Sequence, residues 1–199
     1  MRHRRKGRKL GRKPNHQRAL LRNLASALFL TERDADGEDN KPKEKGRIVT
    51  TIQKAKEVRP LVERCITIAR KVLDKKAEAE RLYTSAERNS DAWRSWRKSD
   101  EWREWNQTAA PVVAARRRVL VLLGDKKAVK ILFEEVAPRF ADRDGGYTRI
   151  LRLAKPRLGD AGTRAILEFV GKNDRVRKKS QRPVFDGDAA AHATAPEAE

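Results

Sequence analysis

Three histidines, one cysteine and one close pair of carboxylates have the best claim to catalytic or metal chemistry in this chain, and their spacing supports none. His3 and His16 lie in a basic N-terminal region, while His192 lies in an acidic tail, so nothing in the order of the chain gathers them. Cys65 falls on an apolar stripe of helical spacing, which predicts a small buried thiol rather than a nucleophile. As the only cysteine of the chain, it also excludes an intrachain disulfide. Asp142 and Asp144 flank Arg143 in a glycine-rich stretch, a pattern that caps loops and turns more often than it holds a metal. Neither standard glycine-rich phosphate loop occurs, and no Cys or His pair has metal-ligand spacing. The reading is therefore no enzyme, no cofactor, no metal and no small-molecule substrate.

What remains is the chemistry of binding a polyanion. Lys and Arg total 48 against 28 Asp and Glu, a net charge of +20, and charged residues make up 38% of the 199 positions. That share is about half as much again as the usual quarter. The excess is concentrated. From Arg2 to Arg22 there are ten Lys and Arg and no acid: Arg2, Arg4, Arg5, Lys6, Arg8, Lys9, Arg12, Lys13, Arg18 and Arg22. So dense a run repels itself and buries nothing, and an external polyanion would order it. If most of these cations reach phosphate, log affinity falls with log salt with a slope on the order of −7 to −9. Tyr147 beside Arg149 also fits the pairing of aromatic and arginine that RNA favours. The same acid-free, Arg-rich start occurs in organellar transit peptides, but here it leads straight into patterned sequence. No apolar run approaches the roughly 20 residues of a membrane-spanning helix, so no membrane partner is expected.

The elements that must position these residues can be read from hydrophobic spacing. Residues 1–14 form a basic arm, with Gly7, Gly11 and Pro14 opposing a regular helix. Asn15 is placed to cap an amphipathic helix over 16–30, with Leu20, Leu21, Leu24 and Leu28 on one face. Residues 31–46 read as a solvated loop, and 47–51 as a short strand or helix lead-in. From Ile52 to Leu73 apolar residues keep helical spacing for six turns, and Pro60 inside the run predicts a kink or split near Glu57.

Residues 91–108 hold a nine-residue near-repeat containing all four tryptophans: Trp93, Trp96, Trp102 and Trp105. On one continuous helix the two Trp pairs would face opposite sides, so either the helix breaks near Ser99 or the segment packs against two things. Pro111 is placed to open a helix ending at Gly124, Asp125 to cap the next, and Pro138 to stop it. Tyr147–Leu153 and Thr163–Val170 read as a loose hairpin. The sum is an α+β fold, a small mixed sheet with helices on one side. The core spans 15–173, with insertions at 31–46 and 74–110. A tail over 174–199 turns from basic to acidic and Ala-rich and reads as disordered.

Several blocks of the chain resemble a known family. Met1-Arg2-His3-Arg4-Arg5-Lys6-Gly7-Arg8-Lys9-Leu10, the His16–Leu24 segment, Lys54-Ala55-Lys56-Glu57-Val58-Arg59-Pro60-Leu61-Val62-Glu63 and, most specifically, Phe133–Arg143 followed by Gly145-Gly146-Tyr147-Thr148-Arg149-Ile150-Leu151 resemble the bacterial large-subunit ribosomal protein seventeen family. Gly159-Asp160 and Ala165–Val170 complete the likeness. The resemblance implies a cytoplasmic structural protein of the ribosome that binds large-subunit rRNA near the peptide tunnel exit, beside neighbouring ribosomal proteins. It carries over Arg2, His3, Arg4, Arg5, Lys6, Arg8, Lys9, Arg12, Lys13, His16, Arg18 and Arg22 as RNA contacts, then Arg143, Tyr147 and Arg149. The loop at 31–46, the Trp-rich insertion and the extension past Val170 depart from the family pattern. A free, chromatin-like nucleic-acid-binding protein is the alternative.

Overall fold

A computed structural model describes residues 7–11, 13–35 and 37–171. Helix α1 (Pro14–Leu30) leads through the 31–46 loop to β1 (Arg47–Thr51) and α2 (Ile52–Arg70). Then come α3 (Leu73–Leu82), α4 (Asp91–Trp96), α5 (Asp100–Leu123) and α6 (Lys126–Ile131). A π-helical turn (Leu132–Val136) joins α6 to α7 (Ala137–Arg139), and β2 (Thr148–Arg152) and β3 (Arg164–Phe169) close the fold.

The class is α+β, as expected. The sheet, however, is antiparallel throughout rather than mixed: β3 lies in the middle, in the order β1-β3-β2. The register pairs Val49 with Ile166 and Leu151 with Ile166 on one face, and Ile48 and Ile150 with Leu167 on the other. A one-residue step changes face in a strand. The face bearing Ala165, Leu167 and Phe169 is therefore buried on α2, while Val49 and Leu151 stay exposed on the other. α2 supplies Ala55, Val58, Val62, Cys65, Ile66 and Ala69 to that core, and α1 adds Ala25, Leu28 and Phe29.

The prolines act differently from the sequence expectation. Pro14 opens α1 at its first position, so Lys13 rather than Asn15 is the N-cap. α2 runs unbroken from Ile52 through Pro60 to Arg70. Apolar packing on both sides of Pro60 outweighs the one backbone bond it removes. Pro111 likewise sits inside α5, which begins at Asp100. Pro138 lies inside its helical run rather than at the end of it: it is the second residue of α7, which follows the π-helical turn and ends at Arg139.

The Trp repeat resolves in favour of a break. α4 ends at Trp96, and α5 begins at Asp100 with Ser99 as N-cap. Ser90 caps α4 by accepting from the Trp93 N–H (3.2 Å), and the Ser99 hydroxyl donates to the Trp96 carbonyl (2.7 Å). Each copy of the repeat thus starts its own helix. The second tryptophans, Trp96 and Trp105, meet each other and Tyr83 at centroid distances of 5.7 Å. The first ones, Trp93 and Trp102, are bridged by Arg97, whose guanidinium lies 5.2 and 5.8 Å from their ring centres.

The 31–46 loop is solvated over 37–45, as expected, but its base is buried. Arg33 ties it from within, donating to the Leu30 carbonyl and to both oxygens of Asn40. Its base is a knot on the sheet. Glu32, 5% exposed, accepts from both terminal nitrogens of Arg139 at 2.8 and 2.9 Å. Gly46 donates to the Thr31 hydroxyl and accepts from the Phe169 N–H.

Candidate nucleic-acid interface

The described part of the arm does not hang free of the core. The Arg8 N–H donates to the Glu57 carboxylate of α2 (3.3 Å), and the Gln17 side chain donates to the Arg8 carbonyl. Leu10 (φ 53°) and Gly11 (φ 65°) reverse the chain into α1. These anchors use backbone atoms of Arg8, so the side chains of Arg8 and Lys9 remain exposed, as do those of Lys13, His16 and Arg18. Arg22 is also exposed, but one of its terminal nitrogens donates to the Val121 carbonyl (2.8 Å) in the last turn of α5, where a cation suits the helix end. Of the other expected contacts, Arg2, His3, Arg4, Arg5, Lys6 and Arg12 lie outside the described residues, as does the tail over 174–199.

A groove of about 430 Å³ runs between α2 and β2. Lys56, Arg59, Arg149 and Arg152 line it, over Ile52, Thr148 and Ile150, with no acid among its walls. The arm meets α2 at Glu57, next to Lys56, so arm and groove share the opening turns of one helix. Two of the four cations are held in place by acids behind them: Arg59 by Glu63 (3.1 Å) and Arg149 by Glu168. Lys56 and Arg152 make no ion pair with a described residue. A surface with this many donors and little constraint on their partner suits phosphate oxygens.

The sequence reading of Arg149 therefore lands on this groove, and that of Tyr147 does not. Tyr147 is 1% exposed, and its ring packs on Phe140 at 5.2 Å, so no face is open for a base to stack on. Strand alternation does not reach back to it. Thr148 opens β2 facing α2, and Tyr147 precedes the strand, at the joint where the Val170 N–H donates to the Tyr147 carbonyl. Arg143 is half-buried in the glycine-rich loop, its Nε donating to the Gly145 carbonyl (3.4 Å). The same loop is held to α2 by an ion pair between Asp144 and Arg70, in place of the loop-capping role expected for that carboxylate.

Sequence reasoning missed Lys56, Arg59 and Arg152. Lys56 and Arg59 stand three apart on the polar side of α2, a signal visible in the sequence. Nothing local tells that Arg152, nearly a hundred positions away, lies opposite them.

Cys65 is fully buried, and burial pushes its thiol up to about 12. Among the described residues no group of His, Cys, Asp or Glu could hold a metal, and no helix is long and apolar enough to cross a membrane.

Similarity to known proteins is extensive. The sequence model of the family described as ribosomal protein L17 matches residues 20–170. The large ribosomal subunit protein bL17 of Rhodopirellula baltica is 63% identical over 199 residues, covering 100% of this chain and 95% of that protein. The proteins of the same name from Thermomicrobium roseum and Nitratidesulfovibrio vulgaris are 35% and 37% identical, over 85% of this chain in each case and 99% and 87% of theirs.

Proposed function

This chain belongs to the ribosomal protein L17 family, and on that premise we propose that it binds large-subunit rRNA through the basic arm and the α2–β2 groove, near the peptide tunnel exit. As a family member it is a structural component of the bacterial large ribosomal subunit in the cytoplasm, and not an enzyme. The observation that carries the RNA reading is a cation-lined groove with no acid among its walls on the same opening turns of α2 to which the arm is tied at Glu57. An arm alone could follow any polyanion. An arm fixed at one end beside a rigid groove gives the nucleic acid a defined path, and the helices and sheet hold that path in place. The chromatin-like alternative loses its support, because the relatives are ribosomal.

Incorporation into large subunits, followed on sucrose gradients, tests this. The parent chain is expected in the large-subunit peak after a moderate-salt wash. A chain with Arg8, Lys9, Lys56 and Arg152 replaced by Gln should incorporate weakly while keeping its circular dichroism spectrum. Its log–log salt slope for binding deproteinised large-subunit rRNA should flatten by about 3, since each cation that neutralises a phosphate contributes somewhat under one to that slope. A variant that incorporates and binds like the parent would remove both arm and groove from the interface.

A further inference from the structure

A second groove, between α2 and α5, encloses about 590 Å³. Three cations line it: Arg64 from α2, Lys71 at the C-cap of α2 and Arg118 from α5. Its other walls are apolar or small, Ile68 and Pro111 among them, and no carboxylate is present. All three cations are exposed, and none makes an ion pair with a described residue. That is not the rule on this surface. Arg33, Arg70, Lys76, Arg94, Arg103, Lys130, Arg139 and Arg157 each have an acid within 4 Å.

The contrast with another cavity of similar size is informative. A space of about 630 Å³ beside the 31–46 loop is lined by Arg33 and Lys127, but also by Glu38 and Asp39, and Arg33 is bridged to Glu38. Its charges are balanced from within, so it has no use for an outside anion. The α2–α5 groove has three like charges facing one space, which repel each other in the free protein. An anion entering it relieves that repulsion.

The arginine run 116–118 shows how the site is built. Arg116 turns to the other side of α5, its guanidinium 5.4 Å from the ring centre of Phe133. Arg118, two residues on, faces α2. Arg64 and Lys71 stand seven apart, and the Lys71 C-cap keeps the right-handed helical conformation, so they lie on nearly the same side of the α2 axis about 10 Å apart along it. That separation exceeds what one small anion can span and suits a chain of phosphates.

We propose that the α2–α5 groove is a second phosphate-backbone site for structured RNA, so that α2 contacts RNA at both of its ends. This rests on the rRNA-binding reading and adds a site to it. The test uses the full chain and deproteinised large-subunit rRNA, with binding measured between 50 and 200 mM salt, the range over which phosphate contacts are resolved. The Arg64→Gln, Lys71→Gln, Arg118→Gln triple variant should flatten the log–log slope by about 2 to 3. A control with the same charge loss at acid-paired positions, Arg33→Gln, Lys76→Gln, Lys130→Gln, should leave the slope within about 1 of the parent. In the parent chain, bound rRNA should protect Lys71 from acetylation.

A triple variant with the parent's slope, or Lys71 acetylated equally with and without RNA, overturns the second site and leaves the arm and first groove standing. An equal fall in both variants overturns it too, since total charge would then be the cause. A parent chain with no salt-dependent rRNA binding overturns both readings together. Protection of Lys71 in assembled subunits but not by rRNA alone would assign the groove to an acidic protein neighbour, against the proposal.

Discussion

Replacing Glu32 by Ala tests whether the knot at the base of the 31–46 loop holds the fold together. The carboxylate is 5% exposed and takes two parallel hydrogen bonds from Arg139, whose own side chain is 33% exposed. Breaking a fully buried pair by removing one partner costs about 3–5 kcal/mol, because the other charge is stranded. One-third exposure lets Arg139 recover part of its hydration, so the expected loss is about 2–3 kcal/mol. At about 2–4 °C per kcal/mol for a chain of this size, Tm should fall by roughly 4–12 °C. Urea unfolding followed by circular dichroism gives the free energy directly.

A second substitution sharpens the test. A Cβ on Gly46 would sit 2.8 Å from Glu32 Oε1, and Gly46 has φ +73°. Gly46→Ala therefore carries a steric penalty set by Glu32 and a backbone penalty of about 1–2 kcal/mol set by φ. In the Glu32→Ala background only the backbone penalty remains, so Gly46→Ala should be at least about 1 kcal/mol milder there than in the parent. A Glu32→Ala loss below about 0.5 kcal/mol, with Gly46→Ala equal in both backgrounds, would show that the loop and sheet do not depend on the knot.

Cys65, fully buried with its thiol raised to about 12, should react with iodoacetamide at least about a hundred-fold more slowly in the native chain than in urea; equal rates would contradict its place in the core. Trp96→Ala removes the ring on which both Tyr83 and Trp105 pack. It should lower protection of the 91–97 amides by about 1–3 kcal/mol in hydrogen exchange while β3 amides stay unchanged, and a matching fall in β3 would mean that the Trp-bearing helices are integral to the core. Asp160 is held well below the usual carboxylate range by the Arg157 guanidinium and the Gly162 N–H. A depressed native value means that this interaction acts in full above the ordinary Asp range and disappears as pH falls below it. Carbon-detected titration should place Asp160 below 3.8, and Arg157→Gln should bring it back toward that value.

Much of this fold is legible because its elements carry one period each. The stripe Ala55, Val58, Val62, Cys65, Ile66 and Ala69 is unambiguous, and it is the stripe that α2 buries. Gly124 ends α5 in the left-handed conformation, and Asp125 caps α6 with two accepted N–H bonds, both readable from residue type. The prolines misled because a proline's local penalty is fixed at about 3 kcal/mol, while the packing of the turns around it is set by distant residues. Pro60 and Pro111 both sit in long helices whose flanking turns are buried on other elements. Tyr147 misled for a related reason. Arg149, two residues on, is exposed, and only the packing of the joint before β2 on Phe140 and Val170 turns the tyrosine inward. The Glu32–Arg139 pair joins residues 107 positions apart, and no local pattern announces such a bond.

The same limit explains why the arm was readable and the grooves were not. A run of ten cations declares itself by density, whereas Lys56 with Arg152, or Arg64 with Arg118, becomes a site only when helices and strands are packed. Yet the packing that hides them from the sequence also gives them their value. α2 buries one face in the core, which fixes its axis against the sheet, and its other faces then carry cations at set separations. A chain of +20 can fold at all only if its charges keep apart from each other and from the core. Here acids neutralise the cations that support structure, such as Arg139 and Arg70, and are missing from the walls of the two α2 grooves. In the α2–α5 groove no cation is ion-paired with a described residue; in the α2–β2 groove Lys56 and Arg152 are not, whereas Arg59 and Arg149 are steadied by Glu63 and Glu168. This implies an asymmetry in salt: added salt should weaken RNA binding steeply, because the groove cations without an ion-pair partner among the described residues (Lys56, Arg152, Arg64, Lys71 and Arg118) are open to solvent and ligand, while the stabilisation from the buried Glu32–Arg139 pair changes little, because that pair is poorly screened.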